Sequence, residues 1–253
     1  MSTPDVLLPA GYRLCVHETL DSTNSEALRR AGAGEEGGLW VWAHSQKTGR
    51  GRLGRRWVSL AGNLFATLLL RPNCRQMHMA QLSLVAGLAL HDAVAGLAER
   101  DILPHLALKW PNDLLHDGMK LGGVLLESKL SAGSVPAVAM GVGVNLAAHP
   151  DVTDYPATDL ARHGISATPA RVLEGLAAAC DEWLGVWNDG SGFAHIREAW
   201  MARSLPANAP LQVKLTDSAS RGIYGGLDED GALILILDDG TKKRITTGDV
   251  FPL

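Results

Sequence analysis

Residues 49–57 read Gly-Arg-Gly-Arg-Leu-Gly-Arg-Arg-Trp, and no other run limits the possible folds so much. Three glycines in nine positions weaken both helix and strand, and four arginines resist burial unless anions pair with them. The run is therefore a loop whose charge must point into a cleft or solvent. Its chemistry suits an anion, because glycine lets the backbone approach a ligand closely and guanidinium offers planar donor forks to phosphate oxygens. From Gly37 to His91 there is no Asp or Glu, while Lys47, Arg50, Arg52, Arg55, Arg56, Arg71 and Arg75 all fall inside. A solvated basic turn or a nucleic-acid contact has the same local composition, so company elsewhere in the chain must decide.

The flanks show how the loop is held. Leu-Trp-Val-Trp-Ala at 39–43 predicts a strand with Trp40 and Trp42 on one face and Leu39, Val41 and Ala43 on the other, and it delivers Gln46 and Lys47 into the loop. Leu-Phe-Ala-Thr-Leu-Leu-Leu at 64–70 predicts an apolar strand after it. Upstream, residues 11–20 read as a strand, and Thr23 with Glu26 has the form of a capping box that opens a helix. Ser22, Thr23 and Asn24 thus present polar groups at a positive helix end.

Downstream, apolar periodicity predicts a long helix from Gln76 to Arg100. Residues 107–115, 120–128 and 135–146 read as three neighbouring antiparallel strands, with turns at Asp117-Gly118 and 131–134. Thr168-Pro169 starts a helix whose buried face is Leu173, Leu176, Ala177, Cys180, Leu184 and Trp187; a shorter one carries Phe193, Ile196 and Trp200. Residues 203–210 read as an exposed linker to a small all-β unit. The expectation is an α+β layer arrangement, an antiparallel sheet with helices packed on it, divided into 1–208 and 209–253. A chain cut after about Ala209 is then expected to stay folded with impaired activity.

Composition removes several function classes. A net charge of -4 over 253 residues argues against nucleic-acid binding as the main activity. Cys15, Cys74 and Cys180 are odd in number and far apart, neither a disulfide framework nor a zinc pattern, which suits a reducing, cytoplasmic setting. No apolar run is long enough to span a bilayer. The nine histidines contain no His-Glu-x-x-His or other close pair at metal spacing, and the P-loop and serine-hydrolase strings are missing.

Four polar clusters remain, each at the end of an apolar element: Ser-Thr-Asn at 22–24, the 46–57 run, Lys-Trp-Pro-Asn-Asp at 109–113 with Lys-Leu-Gly-Gly at 120–123, and Gly-Val-Gly-Val-Asn at 141–145. In this order and spacing they closely resemble the biotin protein ligases, from about Val16 to the end of the chain. The resemblance implies a catalytic domain related in fold to class II aminoacyl-tRNA synthetases, a mixed and largely antiparallel sheet backed by helices, and a C-terminal SH3-like β-barrel. It implies an enzyme that joins biotin to ATP as biotinyl-5′-AMP, with Mg²⁺, and then passes biotin to a lysine of a biotin carboxyl carrier domain of a carboxylase.

Carried onto these residues, the resemblance puts Ser22, Thr23, Asn24 and Gln46 on the ureido ring of biotin. Gly51, Gly122 and Gly123 give close backbone approach, and Arg50, Arg52 and Lys120 act on the carboxylate and α-phosphate as the catalytic set. Arg52, Arg55, Arg56, Trp57, Lys109, Asn112, Asp113 and Asn145 fall on the nucleotide side, where Asp113 either places Mg²⁺ or locks a cation. Only about twenty residues precede the Ser-Thr-Asn cluster, so the winged helix of the family's repressors is not expected. A lipoate or octanoate ligase or transferase of the same superfamily, and a non-catalytic biotin-sensing or nucleic-acid-binding module, are the alternatives. A homodimer is open.

Overall fold

The computed structural model describes residues 5–97, 102–129, 136–151, 155–215 and 218–253. A seven-stranded sheet runs in the order β1-β2-β3-β7-β6-β5-β4, built from β1 Arg13–Leu20, β2 Leu39–Gln46, β3 Leu64–Leu70, β4 Leu106–Lys109, β5 Asp113–His116, β6 Met119–Lys129 and β7 Ala137–Val144. β1 and β2 are parallel and joined by α1, Thr23–Gly32, while every other neighbouring pair is antiparallel. The mixed, largely antiparallel sheet is as the resemblance implies.

Side-chain alternation along the strands gives the sheet two different faces. Trp40, Trp42, Leu64, Ala66, Leu68, Met140, Val142 and Val144 face a large core shared with α2 Leu82–Ala95, α3 Pro169–Trp187 and α4 Phe193–Ala202. Leu39, Val41, Leu69, Ala137 and Ala139 face the other way, against Ala27 and Ala31 of α1. Asp92 ties the three core helices together, accepting from Trp183 Nε1 at 2.9 Å and from Arg203 Nε at 3.1 Å.

Local readings are refined in four places. Ser22, not Thr23, caps α1 by accepting from Ser25 N, and the buried Glu26 pairs with Arg29 and Arg30. The predicted long helix is a 3₁₀ turn over Gln76–Gln81 followed by α2, which ends at Gly96; residues 98–100 lie outside the described residues, as does the 131–134 turn. Residues 107–115 are not one strand: a cis Trp110–Pro111 bond turns the chain back, so β4 and β5 form a tight hairpin with Lys109 opposite Asp113. Residues 203–210 are not a free linker, because Leu108 N donates to Arg203 O and Leu205 N donates to Leu108 O.

The C-terminal unit is a five-stranded antiparallel sheet in the order β11-β10-β9-β8-β12, from β8 Pro210–Lys214, β9 Ala219–Leu227, β10 Leu233–Ile236, β11 Lys242–Ile245 and β12 Asp249–Pro252. Its hydrogen bonding is open, with β11 and β12 as edges and no pairing between them among the described residues. Leu211, Val213, Leu233, Leu235 and Ile245 belong to the same buried cluster as Leu84 and Phe193. No helix among the described residues is long and apolar enough to cross a membrane.

Candidate active site

The four polar clusters meet on the α1 face of the large sheet, where β7 carries Gly141 and Gly143 in line with Ala137 and Ala139. A row of small residues leaves space that α1 fills at one end and a cavity of about 330 Å³ fills at the other. The space is needed: a Cβ on Gly141 would lie 2.2 Å from Asn24 Oδ1, and one on Gly143 would lie 2.6 Å from the Trp57 ring.

At the α1 end of the cavity, the first turn of the helix is buried and its polar groups are hydrogen-bonded. Thr23 N donates to Gln46 Oε1 at 2.9 Å, and Asn24 Nδ2 donates to Leu125 O and to Glu127 Oε2. The hydroxyl of Thr67, fully buried in the middle of β3, donates to Asn24 Oδ1 at 2.7 Å and lies 2.8 Å from the Thr23 hydroxyl. This network fixes the direction of every donor and acceptor that a polar ring ligand would meet.

The basic run folds as a narrow hairpin. Arg50 and Arg56 form a β-bridge, Gly51 N donates to Arg55 O, and Leu53 and Gly54 turn the tip with positive φ. Acids from far along the chain offset its charge: Arg50 pairs with Glu127 at 3.1 Å and Arg55 with Asp249 at 2.5 Å, while Arg52 Nη1 donates to Gly248 O. Burial lowers the Arg52 pKa, against the opposing pull of Asp249 and Asp113, and the group stays cationic in its half-buried position. Trp57 lies flat on Gly143, and Lys120 Nζ sits 5.5 Å from the centre of its ring.

Asp113 is the centre of the opposite wall. Its carboxylate is buried and contacts Lys120 Nζ at 2.6 Å and Lys109 Nζ at 2.8 Å. Burial alone would raise its pKa; the two ammonium groups overcome that and hold it well below the usual carboxylate range. A bulge makes this geometry: β5 residues Leu114 and Leu115 pair with Gly122 and Lys120, skipping Leu121, so Lys120 and Gly123 both turn toward the cavity. Asn112 Nδ2 donates to Val124 O, and Asn145 Nδ2 donates to Thr158 O.

Ser22, Thr23, Asn24, Gln46, Arg50, Gly51, Arg52, Arg55, Arg56, Trp57, Lys109, Asn112, Asp113, Lys120 and Asn145 all line this one cavity. Gly122 does not; the bulge points its α-hydrogen face at Leu90 of α2 and the carbonyl of Gly143, so Gly123 takes the wall position. Sequence reading missed Thr67 and Glu127, and it missed Tyr155, Asp249, Val250 and Phe251, which also line the cavity. A Mg²⁺ ligand role for Asp113 does not fit, since both its oxygens are committed to lysines; Asp249, the other acid in the wall, is committed to Arg55. Asp113 is a lock on two cations.

Residues 16–145 match the biotin/lipoate A/B protein ligase family, and residues 212–251 match the biotin protein ligase C-terminal domain. The chain is 45% identical over 240 residues to a biotin--[acetyl-CoA-carboxylase] ligase of Paracoccus denitrificans, covering 91% of this chain and 97% of that one. Its fold matches a biotin protein ligase from Aquifex aeolicus in complex with biotin and ATP, with a TM-score of 0.79 at 28% identity over 94% of this chain and 97% of that one. A biotin protein ligase from Leishmania major in complex with biotinyl-5-AMP matches with a TM-score of 0.64 at 25% identity, over 93% and 99% of the two chains. With these matches spanning both of its sheets, the chain belongs to the biotin/lipoate A/B protein ligase family, among the biotin protein ligases.

Proposed function

We propose that the cavity activates biotin with ATP and then hands the biotinyl group to a lysine of a biotin carboxyl carrier domain. The observation that carries this reading is the convergence of Arg50, Arg52 and Lys120 between a polar, hydrogen-bonded pocket at Thr23 and Asn24 and a second basic wall at Arg55, Arg56 and Lys109. Two anions, a carboxylate and a triphosphate, repel each other, and fixed cations between them lower the cost of contact. When a carboxylate oxygen of biotin attacks the α-phosphorus, pyrophosphate leaves and negative charge accumulates on the phosphoryl oxygens. Lys120 and Arg52 are placed to stabilise it without reorganising, because Asp113 and Gly248 O already fix their positions.

In the second step the amine of the acceptor lysine attacks the acyl carbon and AMP leaves. Arg52, Arg55, Arg56 and Lys109 would hold the phosphates of ATP, and a Mg²⁺ ion accompanying those phosphates would supply further charge neutralisation there.

Pyrophosphate exchange into ATP with biotin or lipoate added in turn tests the reading. Exchange with biotin alone is expected; exchange with lipoate and none with biotin would overturn it in favour of the lipoate branch. Lys120→Ala is expected to slow single-turnover formation of biotinyl-5′-AMP by roughly a hundredfold with the fold intact, the usual loss when one fixed donor to a developing oxyanion is removed. An unchanged rate would take Lys120 off the catalytic list.

A further inference from the structure

Outside the cavity, a second constellation lies at the turn of the β5–β6 hairpin. His116 ends β5, Asp117 turns the hairpin with φ 49°, and His163 sits on the 3₁₀ turn Ala161–His163 that packs against it. One ring nitrogen from each histidine and a carboxylate oxygen of Asp117 lie within 4.8 Å of one another. The His116 and His163 rings are 3.7 Å apart between centroids, and His105 stacks on the other face of His116 at 5.4 Å.

Two observations set this cluster apart from ordinary aromatic packing. His116 is buried to within 5% of full occlusion, yet its Nδ1 has no hydrogen-bond partner among the described residues, with Asp117 Oδ2 lying 3.3 Å away. A buried, unpartnered ring nitrogen is costly unless something else binds it. The surrounding groups are also arranged as an outer shell: His105 Nδ1 holds the other carboxylate oxygen of Asp117 at 2.6 Å, and Thr158 Oγ1 lies 2.8 Å from His163 Nε2.

We infer that His116, Asp117 and His163 form a binding site for a divalent transition ion of the Zn²⁺, Co²⁺ or Ni²⁺ class. Two imidazoles and one carboxylate are the donor set these ions prefer, and Mg²⁺, which selects oxygen, is a poor competitor. A fourth position is left for water. The bound ion would staple two segments that reach the catalytic cavity. The hairpin turn leads within three residues to Lys120, and the 155–163 segment brings Tyr155 and Ala157 into the cavity wall. They are already stitched by Lys120 N donating to Pro156 O and Thr158 N donating to Lys120 O, and Tyr155 Oη donates to Gly118 O. The ion would tighten the same seam from outside, without touching substrate.

The test uses the full-length protein stripped with a chelator and titrated with Co²⁺, read by visible absorption. One Co²⁺ per chain is expected, with a d–d band, no sulfur-to-cobalt charge transfer, and no displacement by millimolar Mg²⁺. Asp117→Asn and His163→Gln are each expected to weaken binding at least tenfold, in line with loss of one ligand. In the wild-type protein, Zn²⁺ should shift the ring resonances of His116 and His163 ahead of the other histidines, a readout that does not depend on any variant folding. No saturable binding, affinity unchanged in both variants, or a thiolate band abolished by Cys15→Ser would each overturn the assignment.

Discussion

The carboxylate of Asp113 lies buried between Lys109 and Lys120, and Lys109 also donates to Val250 O, so three charges share one nearly dry position. Replacing it by Asn keeps the shape and leaves two ammonium groups without their anion, which costs about 3 kcal/mol or more when a buried pair is broken. The pH dependence has a definite sign. The folded-state pKa of Asp113 is depressed below the unfolded value of about 3.9, so its contribution is complete above that pH and is lost as pH falls toward the folded pKa. Urea unfolding of wild type and Asp113→Asn should therefore show a constant stability gap above about pH 5 that narrows progressively as pH falls below about 4. A gap that ignores pH would show that the carboxylate is not ionised in the fold. Thr67 makes a second prediction at this scale. Thr67→Val keeps the volume and removes the donor to Asn24 Oδ1, an unmade buried hydrogen bond worth roughly 1–2 kcal/mol. The KM for biotin should rise about tenfold while that for ATP stays put; equal shifts in both would mean that Thr67 supports the fold and not the biotin end.

Among the elements, β7 separates the two ends of the cavity most cleanly. Gly141 lies beneath Asn24 and Gly143 beneath Trp57, so a single methyl at each disturbs one wall and not the other. Gly141→Ala should raise the KM for biotin and Gly143→Ala the KM for ATP, each by tenfold or more with little change in the opposite substrate; matched changes in both variants would refute the division. The same strand shows what can be read from sequence. Gly-Val-Gly-Val-Asn stands out because glycine in an apolar strand marks close approach, and the Gly/Arg run stands out because its charge cannot be buried locally. Thr67 does not stand out, being one hydroxyl inside an apolar strand whose partners come from α1. Of Gly122 and Gly123, which of the two faces the cavity is set by a bulge at Leu121 that shifts the two-residue period, and a bulge leaves no mark in a string that reads Lys-Leu-Gly-Gly. The hairpin at Trp110–Asn112 interrupts a run whose apolar residues suggest one strand, and the proline inside it is the local sign of the break. The acids that pair with Arg50 and Arg55 are 77 and 194 residues away, beyond any local pattern. These contacts tether the loop at Glu127, Gly248 and Asp249 before ligand binds. The Leu53 tip remains exposed, so trypsin should cut slowly at Arg52 and Arg55 in the free protein and more slowly still with biotin and ATP.

For the whole molecule, the question is whether the chain divides thermodynamically where it divides in sequence. Trp110 Nε1 donates to Gly231 O, Lys109 to Val250 O and Arg52 to Gly248 O, so the C-terminal sheet holds both the Lys-Trp-Pro-Asn-Asp hairpin and the basic loop. Its apolar face is continuous with the main core, where Gly231 approaches Phe193 and Leu84 too closely for a side chain. We propose that 1–208 and 209–253 are one cooperative unit, and that the small sheet belongs to the active site as much as the large one. Removing residues 209–253 would leave Lys109 and Arg52 without those carbonyl acceptors and would expose the apolar surface around Trp110 and Phe193. The intact chain should unfold in urea in a single transition, and the truncated chain should unfold at clearly lower urea and fail at adenylation. Asp249→Asn supplies the control that keeps the core whole. It removes the carboxylate that pairs with Arg55 and offsets the charge of Arg52, a partly exposed interaction worth up to about 1 kcal/mol, so it should raise the KM for ATP roughly fivefold while lowering stability by no more than about 1 kcal/mol. Two separate unfolding transitions, or a truncated chain with the stability of the intact one, would show that the C-terminal sheet is an independent module and that its contacts with the cations are incidental.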